Sequence, residues 1–336
     1  GGLDQLPRYR YSRSDRWWCA GRRDQHVAVV AANRDVINSY AGVVAGSGNA
    51  AVSGLLTVNL VQSDTEAAIR GASTRVTALA QSATGATVNN GVVANAPDPD
   101  AWADAKQFNP VLDLRTGTET VRGIAVRATS LQQVGQVSAS AAVTLVPLAS
   151  ASVAGLSNTS VLGGSTLAAI DQALINQDNA GASLAQRVSV GASSHSYSFA
   201  GVFNAALSLG AAAVAATIDT GVVSRDVTAR IRGATVRSQG QTSVQAASTL
   251  AASNLVTSAS GAIVGLSGSG AVLVIESNTE ALVDQASQLN VGSLLVRAQG
   301  SNSLSPNALT LAGAPWAPVP GLPLAITEAR FVHGWA

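Results

Sequence analysis

The sequence predicts an all-β fold, a repetitive β-solenoid (β-helix) built from a degenerate unit of about fifty residues. Three observations lead to this prediction: short segments recur along the chain, they alternate between apolar and polar residues, and their apolar residues are small or β-branched. The chain is 47% hydrophobic but only 4% aromatic. Small and branched side chains suit a thin, regularly layered interior better than a bulky globular core.

The first recurring element is a Val-x-Ala step within a short alternating run. Alternation with period two is the pattern of a strand that buries one face. The spacings between successive alanines are 50, 64, 54 and 52 residues. The five steps are Val76/Ala78, Val126/Ala128, Val190/Ala192, Val244/Ala246 and Val296/Ala298.

A second element precedes the step in three units. It reads DTEAAIRGA at 64–72, DVTARIRGA at 226–234 and NTEALVDQA at 278–286. Aligning the three segments places Ala67, Ala229 and Ala281 together, followed by Ile69, Ile231 and Val283. A Gly-rich turn and an apolar strand lie further upstream, at 46–60 and 265–278, which is typical of strands separated by tight turns.

The spacing of 64 residues is too long by about a dozen residues, and the segment 165–176 accounts for the excess. Leu167, Ile170 and Leu174 have helical periodicity, and Ser165 is a suitable N-cap residue. We therefore expect a short helical insertion near 165–176.

The repetitive part is predicted to span residues 39–304. Residues 1–38 form a non-repetitive flank that is basic and aromatic, and residues 305–336 form a Pro-rich tail. A Pro- and Asp-rich segment, 95–110, interrupts the repeats and is expected to be a loop. Neither flank is expected to contribute alternating strands.

Two other β architectures also produce alternating strands. An outer-membrane barrel requires aromatic girdles, and the few aromatic residues of this chain lie mostly in the flanks. A propeller carries an aromatic or Gly-His/Trp-Asp signature in each blade, which this sequence lacks. The solenoid remains the favoured fold.

The order of the elements resembles the repeats of large bacterial filamentous adhesins, the leukotoxin-type adhesin repeats of exported surface proteins. The resemblance covers about residues 39–304 and is best at SDTEAAIRGA and SNTEALVDQA. It implies a β-helical stalk that is secreted to the bacterial cell surface by a type V route and remains associated with the outer membrane. It also implies, as partners, a receptor or glycan on a host or neighbouring cell, and further repeats of the same longer chain.

Charge and hydropathy argue against two other classes of partner. Charged residues make up 12% of the chain and the net charge is +1, so no basic surface for nucleic acid is expected. The arginines of the N-terminal flank are partly offset by Asp15 and Asp24. The best transmembrane candidate, 205–223, is rich in Ala and contains Asp219, so it is too weakly apolar for a spanning helix.

No catalytic motif is evident, and we predict that the protein is not an enzyme and binds no cofactor or metal. His26, His195 and His333 lie far apart, and there is no H-x-x-x-H, C-x-x-C or G-x-S-x-G. A cluster of three aspartates in the 95–110 loop leaves a β-helix carbohydrate-active enzyme as one alternative. A passenger of a secreted toxin is another. The three aspartates are Asp98, Asp100 and Asp104.

Arg70 and Arg232 are the candidate binding residues, because both occur in the same IRGA context of the second element. Two arginines at equivalent positions of a repeat can line a ligand-binding face. The alternative is that both are solvated outward residues whose aliphatic stems cover the apolar wall.

Overall fold

The computed structural model describes residues 26–93, 114–147, 150–284 and 286–313, and the backbone of residues 323–332. This part of the chain is all-β and contains no helix. Its strands are β1 (Val27–Ser47), β2 (Ala50–Gln62), β3 (Thr65–Arg70), β4 (Arg75–Val76), β5 (Ala86–Val93), β6 (Thr116–Val121), β7 (Gly123–Thr144), β8 (Ala151–Asp171), β9 (Leu174–Ile175), β10 (Arg187–Ser208), β11 (Ala212–Arg232), β12 (Thr235–Gly261), β13 (Val264–Val283), β14 (Gln288–Gly313) and β15 (Pro323–Val332).

The long strands form two parallel sheets. Sheet A has the order β1-β7-β10-β12, with β14 on the other side of β12 and the short strands β9 and β4 beside it. Sheet B has the order β15-β13-β11-β8-β2, and β3 continues the pairing with β8. The chain alternates between the two sheets, so each long strand of sheet A is followed by one of sheet B. We call such a pair a unit, and five units stack in register.

The interior lies between the two sheets, where small and branched side chains from both pack in layers. The largest cluster joins Ile124 and Val126 of sheet A to Ala168 and Ile170 of sheet B. Further along the strands, Val134 packs with Leu162. Alternation along each strand sends every second residue into this space, which explains why the apolar positions recur with period two.

The Val-x-Ala register is confirmed for four of the five steps. Val126, Val190, Val244 and Val296 pair in one row across sheet A, and their alanines pair in the next inward row. The fifth step, Val76/Ala78, was aligned wrongly, because Val76 pairs with Ile175 in the short strands. The first unit instead contributes Val29 and Ala31, which pair with Val126 and Ala128.

The register of the second element is also confirmed in sheet B. Ala229 pairs with Ala281, and Ile231 with Val283. The first-unit residues Ala67 and Ile69 join the same rows through strand β8.

The predicted helical insertion at 165–176 is wrong, since these residues form the end of β8 and the short strand β9. Ala168 and Ile170 lie between the alanines and branched residues of the neighbouring units. The segment TLAAID is thus the missing copy of the second element. Its Leu and Ile spacing also fits a helix, but pairing on both sides with β3 and β11 stabilises the strand.

A sharp corner follows this row in three units. Gly71 and Gly233 have φ of +114° and +58°, and Gln172 occupies the equivalent corner with φ of +59°. The corner is closed by backbone hydrogen bonds from Gly71 N to Asp171 O, at 3.0 Å, and from Gln172 N to Arg232 O, at 2.8 Å. Left-handed backbone favours Gly, which explains the glycine that ends the IRG segment twice.

The sheets extend beyond the predicted repeat boundaries. Strand β1 begins at Val27 and alternates inward and outward along its whole length, so residues 27–38 belong to sheet A. Strand β14 similarly continues to Gly313, within the segment expected to be a Pro-rich tail. The predicted loop at 95–110 lies outside the described residues.

One excursion leaves the stack between β4 and β7. Strands β5 and β6 pair as an antiparallel hairpin and pack on the outer face of sheet A. Val93 packs there with Leu131 and Tyr197, while Val88 and Val121 pack on Ala125. The hairpin therefore buries outward-facing residues of β7 and β10 that would otherwise be exposed.

Candidate functional site

The two candidate binding arginines lie in one outward row of sheet B, with an aspartate between them. Asp171 pairs with Arg70 on one side and with Arg232 on the other. Arg70 Nε lies 3.1 Å from Asp171 Oδ2, and Arg232 Nε lies 3.8 Å from Asp171 Oδ1. Asp284 follows directly after Val283, the partner of Ile231 in the next unit, so the row alternates in sign from unit to unit.

Asp171 is the centre of this charged row. Arg230, in a neighbouring row, donates hydrogen bonds from Nε and Nη2 to the two carboxylate oxygens, at 3.1 and 2.9 Å. Burial raises the pKa of Asp171, but the hydrogen bonds from Arg230 and Arg70 outweigh this effect and hold it below its usual value. Arg70 and Arg232 are therefore both outward-facing and paired within the chain.

A polar cluster occupies the middle of the interior, where sequence reasoning placed no site. Asp219 is fully buried and accepts hydrogen bonds from the side-chain amides of Asn158 and Asn254. Asn158 lies beside it in sheet B, whereas Asn254 reaches across from sheet A. The Oδ1 of Asn158 in turn accepts hydrogen bonds from Thr57 and Gln136.

The carboxyl group of Asp219 has no cationic partner among the described residues. Burial raises its pKa to about 6, even though the two asparagine amides favour the charged form. A carboxyl group whose pKa lies close to neutrality can exchange a proton under mild conditions. It is closed off from solvent, however, so its effect is expected on stability and not on a bound ligand.

A buried arginine lies further along the same strand, β11. Arg225 is 2% exposed and donates from Nε to Ser196 Oγ, at 3.1 Å, and from Nη1 to Gly163 O, at 3.1 Å. Burial lowers its pKa to about 10, partly offset by Asp35 and Asp64. Gly164 has no side chain beside this guanidinium, where a Cβ would meet Nη1 at 2.9 Å.

His195 was expected at an outward strand position, and it does lie on the outer side of sheet A. The β5–β6 hairpin covers it, so the ring is buried and its Nε2 lies 2.9 Å from Gly91 O. Burial lowers the pKa of His195 and raises that of the neighbouring Tyr197 to about 12. Both shifts follow from the loss of water beneath the hairpin.

The outer side of sheet B carries the largest feature that the sequence analysis missed. We call the first half of this side the outer apolar face. It consists of the outward residues of β2 between positions 50 and 60, six in all, and of the residues of β8, β11 and β13 that lie in register with them. These positions hold no charged residue. Leu56 is 69% exposed and Ile218 is 53% exposed. The second half of the same side carries the charges, including the Asp171 row.

This face had a signal in the sequence. In β2, the outward residues Val52, Leu56, Val58 and Leu60 are larger and more apolar than the inward residues Ser53, Thr57 and Asn59. Alternation alone indicates two faces but not which one is buried, because both faces of such a strand can contain apolar residues.

Neither a metal-binding cluster nor a membrane-spanning helix is found among the described residues. They contain no group of three or more His, Cys, Asp or Glu side chains placed to hold a metal ion. They also contain no helix long and apolar enough to span a membrane. The aspartates Asp98, Asp100 and Asp104 lie outside the described residues.

Comparisons with protein-family models, with curated proteins and with solved structures each found no match. The class of protein is therefore defined by its fold alone, an all-β chain whose long parallel strands stack in register in two facing sheets.

Proposed function

We propose that the chain is a β-solenoid segment of an exported bacterial surface protein, an extended adhesive stalk and not an enzyme. The observation that supports this proposal best is the register itself. Equivalent positions of four or five successive units lie in straight rows across both sheets, so outward side chains are presented at regular intervals along the stack. Repetition of this kind suits extension and multivalent display.

The charged row shows how such a stack avoids repeating one charge. A single residue type at an outward position would place like charges about 4.8 Å apart in neighbouring units. The alternation of Arg70, Asp171, Arg232 and Asp284 replaces that repulsion with attraction. Low overall charge and sign alternation allow further units to be added without accumulating like charges.

The proposed partners are a receptor or glycan on a host or neighbouring cell and further repeats of the same longer chain. Arg70 and Arg232 are the proposed contact residues, because their guanidinium groups are partly exposed on the outer side of sheet B. Since both already pair with Asp171, they would contribute to a shared surface and not to an isolated pocket.

The proposal is tested by coating beads with the purified chain and measuring adhesion to epithelial cells, bacterial cells and immobilised glycans. We expect saturable adhesion that soluble chain competes away. The change Arg70→Gln together with Arg232→Gln should reduce it, whereas Arg297→Gln, an exposed arginine of sheet A, should not. The absence of adhesion to every surface would contradict the proposal. New reducing ends released from polysaccharides would favour the carbohydrate-active enzyme.

A further inference from the structure

We propose that the outer apolar face is a self-association surface, on which a second copy of this chain packs to form a two-fold symmetric dimer. The proposal is independent of the adhesive function, since it concerns the apolar half of the outer side of sheet B, whereas Arg70 and Arg232 lie in the charged half. It rests on three properties of the face: its lack of charge, its relief and its size.

The distribution of charge divides the outer side of sheet B sharply. The apolar half has no Asp, Glu, Lys or Arg at the outward positions of its four strands. The other half contains Glu66, Asp171, Arg230 and Glu280. Soluble proteins rarely leave a contiguous apolar patch of this extent open to water unless it binds a partner. A partner that covers this half must itself present an uncharged surface at the centre of the contact. The outer apolar face of a second copy is such a surface.

The relief of the face fits a copy of itself. Gly54, Gly155 and Gly268 lie in one row, and a Cβ added at any of them would meet nothing within 4 Å. This row, completed by Ala216, forms an open groove along the stacking direction. In the next outward row, which we call the ridge, Leu56 and Ile218 project as exposed large side chains, while Ser157 and Gly270 at the other two positions are small.

In the proposed dimer, a two-fold axis runs parallel to the stacking direction, midway between the groove and the ridge. This axis places the ridge of each copy over the groove of the other. Leu56 of each copy then lies over Gly54 of the other. The same axis overlays the apolar halves and directs the charged halves to opposite ends of the dimer. Such an interface uses the same patch on both copies, so it closes at two and does not propagate.

The size of the face is sufficient for a specific dimer. Residues 50–60 span roughly 33 Å along a strand, and four strands span roughly 19 Å, which gives roughly 600 Å² on each copy. The total of roughly 1,200 Å² reaches the lower limit of stable protein–protein interfaces. We therefore expect a reversible dimer and not a permanent one.

Sedimentation of the full chain across a concentration series tests the proposal. We expect a monomer–dimer equilibrium, and Leu56→Lys should weaken it at least about tenfold by placing a charge on the ridge. Val44→Lys, a change at an exposed position on the outer side of sheet A, is the matched control and should leave the equilibrium unchanged. A wild-type chain that stays monomeric at about 100 µM would overturn the proposal.

The change Gly54→Leu distinguishes a fitted interface from a merely sticky one. It adds apolar surface without a clash within the monomer, but it fills the groove that receives Leu56. We expect dimerisation to weaken at least about tenfold, whereas Gly46→Leu on sheet A, where a Cβ also meets nothing, should have no effect. Equal or tighter association of Gly54→Leu, or growth beyond a dimer, contradicts the proposed geometry. Neither outcome bears on bead adhesion, so the two proposals fail separately.

Discussion

Asp219 is the residue at which the interior departs most from an apolar core. Its neighbours explain why a carboxyl group is tolerated there, since Asn158 and Asn254 satisfy one oxygen each. Hydrogen bonds from two neutral amides stabilise the charge less than an arginine would, and burial therefore dominates its pKa. The same strand buries Arg225, but the two groups do not pair with each other.

The raised pKa of Asp219 implies a pH-dependent cost. Because the folded state binds the proton more tightly than the unfolded state does, the contribution of this group to stability falls as pH rises from about 4 to about 6. Above that window the cost is constant and on the order of 3 kcal/mol. His195 acts in the opposite direction, since its lowered pKa removes stability as pH falls below its unfolded value.

We predict that Asp219→Asn raises the free energy of unfolding at pH 7 by on the order of 1–3 kcal/mol and has almost no effect at pH 4. The oxygen of the introduced amide would still accept the hydrogen bond from Asn158. If the side-chain amide of Asn254 flips, its oxygen would accept a hydrogen bond from the new NH₂ group. Chemical denaturation of parent and variant at both pH values measures the difference, in which the contribution of His195 cancels.

Asp226→Asn is the matched control, because Asp226 lies on the same strand but points outward. Its free energy of unfolding should stay within about 0.5 kcal/mol of the parent at pH 7. An Asp219→Asn variant that is less stable than the parent at pH 7 would show that the carboxylate is needed in its charged form.

Only some of the individual residues that matter in the structure could be identified from the sequence. The equivalence of Arg70 and Arg232 was visible in their shared IRGA context, and the structure places them in one row. Asp171 between them was hidden, because its segment had been assigned to a helix. Nothing in the sequence around Asp219 indicated that it is buried. An aspartate in an alternating strand fits the inward face and the outward face equally well until the register of the strand is known.

At the scale of the element, the position of a strand in the stack decides what its side chains experience. Ala246 and Ala298 occupy the same inward row of sheet A and pair directly with each other. Ala246 belongs to the main core and is 2% exposed, whereas Ala298 lies on β14 at the end of the described stack and is exposed. Identical sequence context therefore gives different packing.

We predict that Ala246→Phe destabilises the chain by about 1–3 kcal/mol, because the added ring overpacks a thin interior. The same substitution at Ala298 should change the free energy of unfolding by less than about 0.5 kcal/mol. Urea denaturation of both variants measures the contrast. Equal destabilisation would mean that another strand covers Ala298 in solution, and no effect at Ala246 would mean that the register is wrong.

The elements themselves were predictable where neighbouring copies agree. The Val-x-Ala rows follow from four steps that share one spacing to within about a dozen residues. The helix predicted at 165–176 is wrong because the spacing of Leu167, Ile170 and Leu174 fits two structures. It fits one face of a helix, and it also fits a strand in which a Leu occasionally points outward. Comparing TLAAID with TEAAIR would have corrected it, since Thr, both alanines and Ile coincide.

At the scale of the whole molecule, each unit contributes one long strand to each sheet. Equivalent residues of successive units lie 52 to 64 residues apart, except that the excursion through β5 and β6 separates Val29 from Val126 by 97 residues. Five units therefore span only about 20 Å along the stack, at a strand spacing of about 4.8 Å. If each unit contributed two long strands to each sheet, that length would be doubled. Long strands of about twenty residues make the stack wide and short, and lengthening it requires more units.

Stability of such a stack is expected to grow with the number of units, because each internal unit pairs with two neighbours and each terminal unit with one. The unit formed by β12, β13 and the connection that follows, residues 235–287, has neighbours on both sides. A second copy of 235–287, inserted between residues 287 and 288, keeps the alternation of sheet A and sheet B strands. It also pairs β13 with a strand of its own sequence.

We predict that this duplication lengthens the particle by about 4.8 Å along the stacking direction and raises the free energy of unfolding. Small-angle scattering measures the first effect and urea denaturation the second. The control duplicates residues 235–263 alone, which adds a sheet A strand where a sheet B strand must follow and should disrupt the fold. If the full duplication unfolds at a lower urea concentration than the parent while keeping its β content, the units do not stack as interchangeable layers and the solenoid proposal fails.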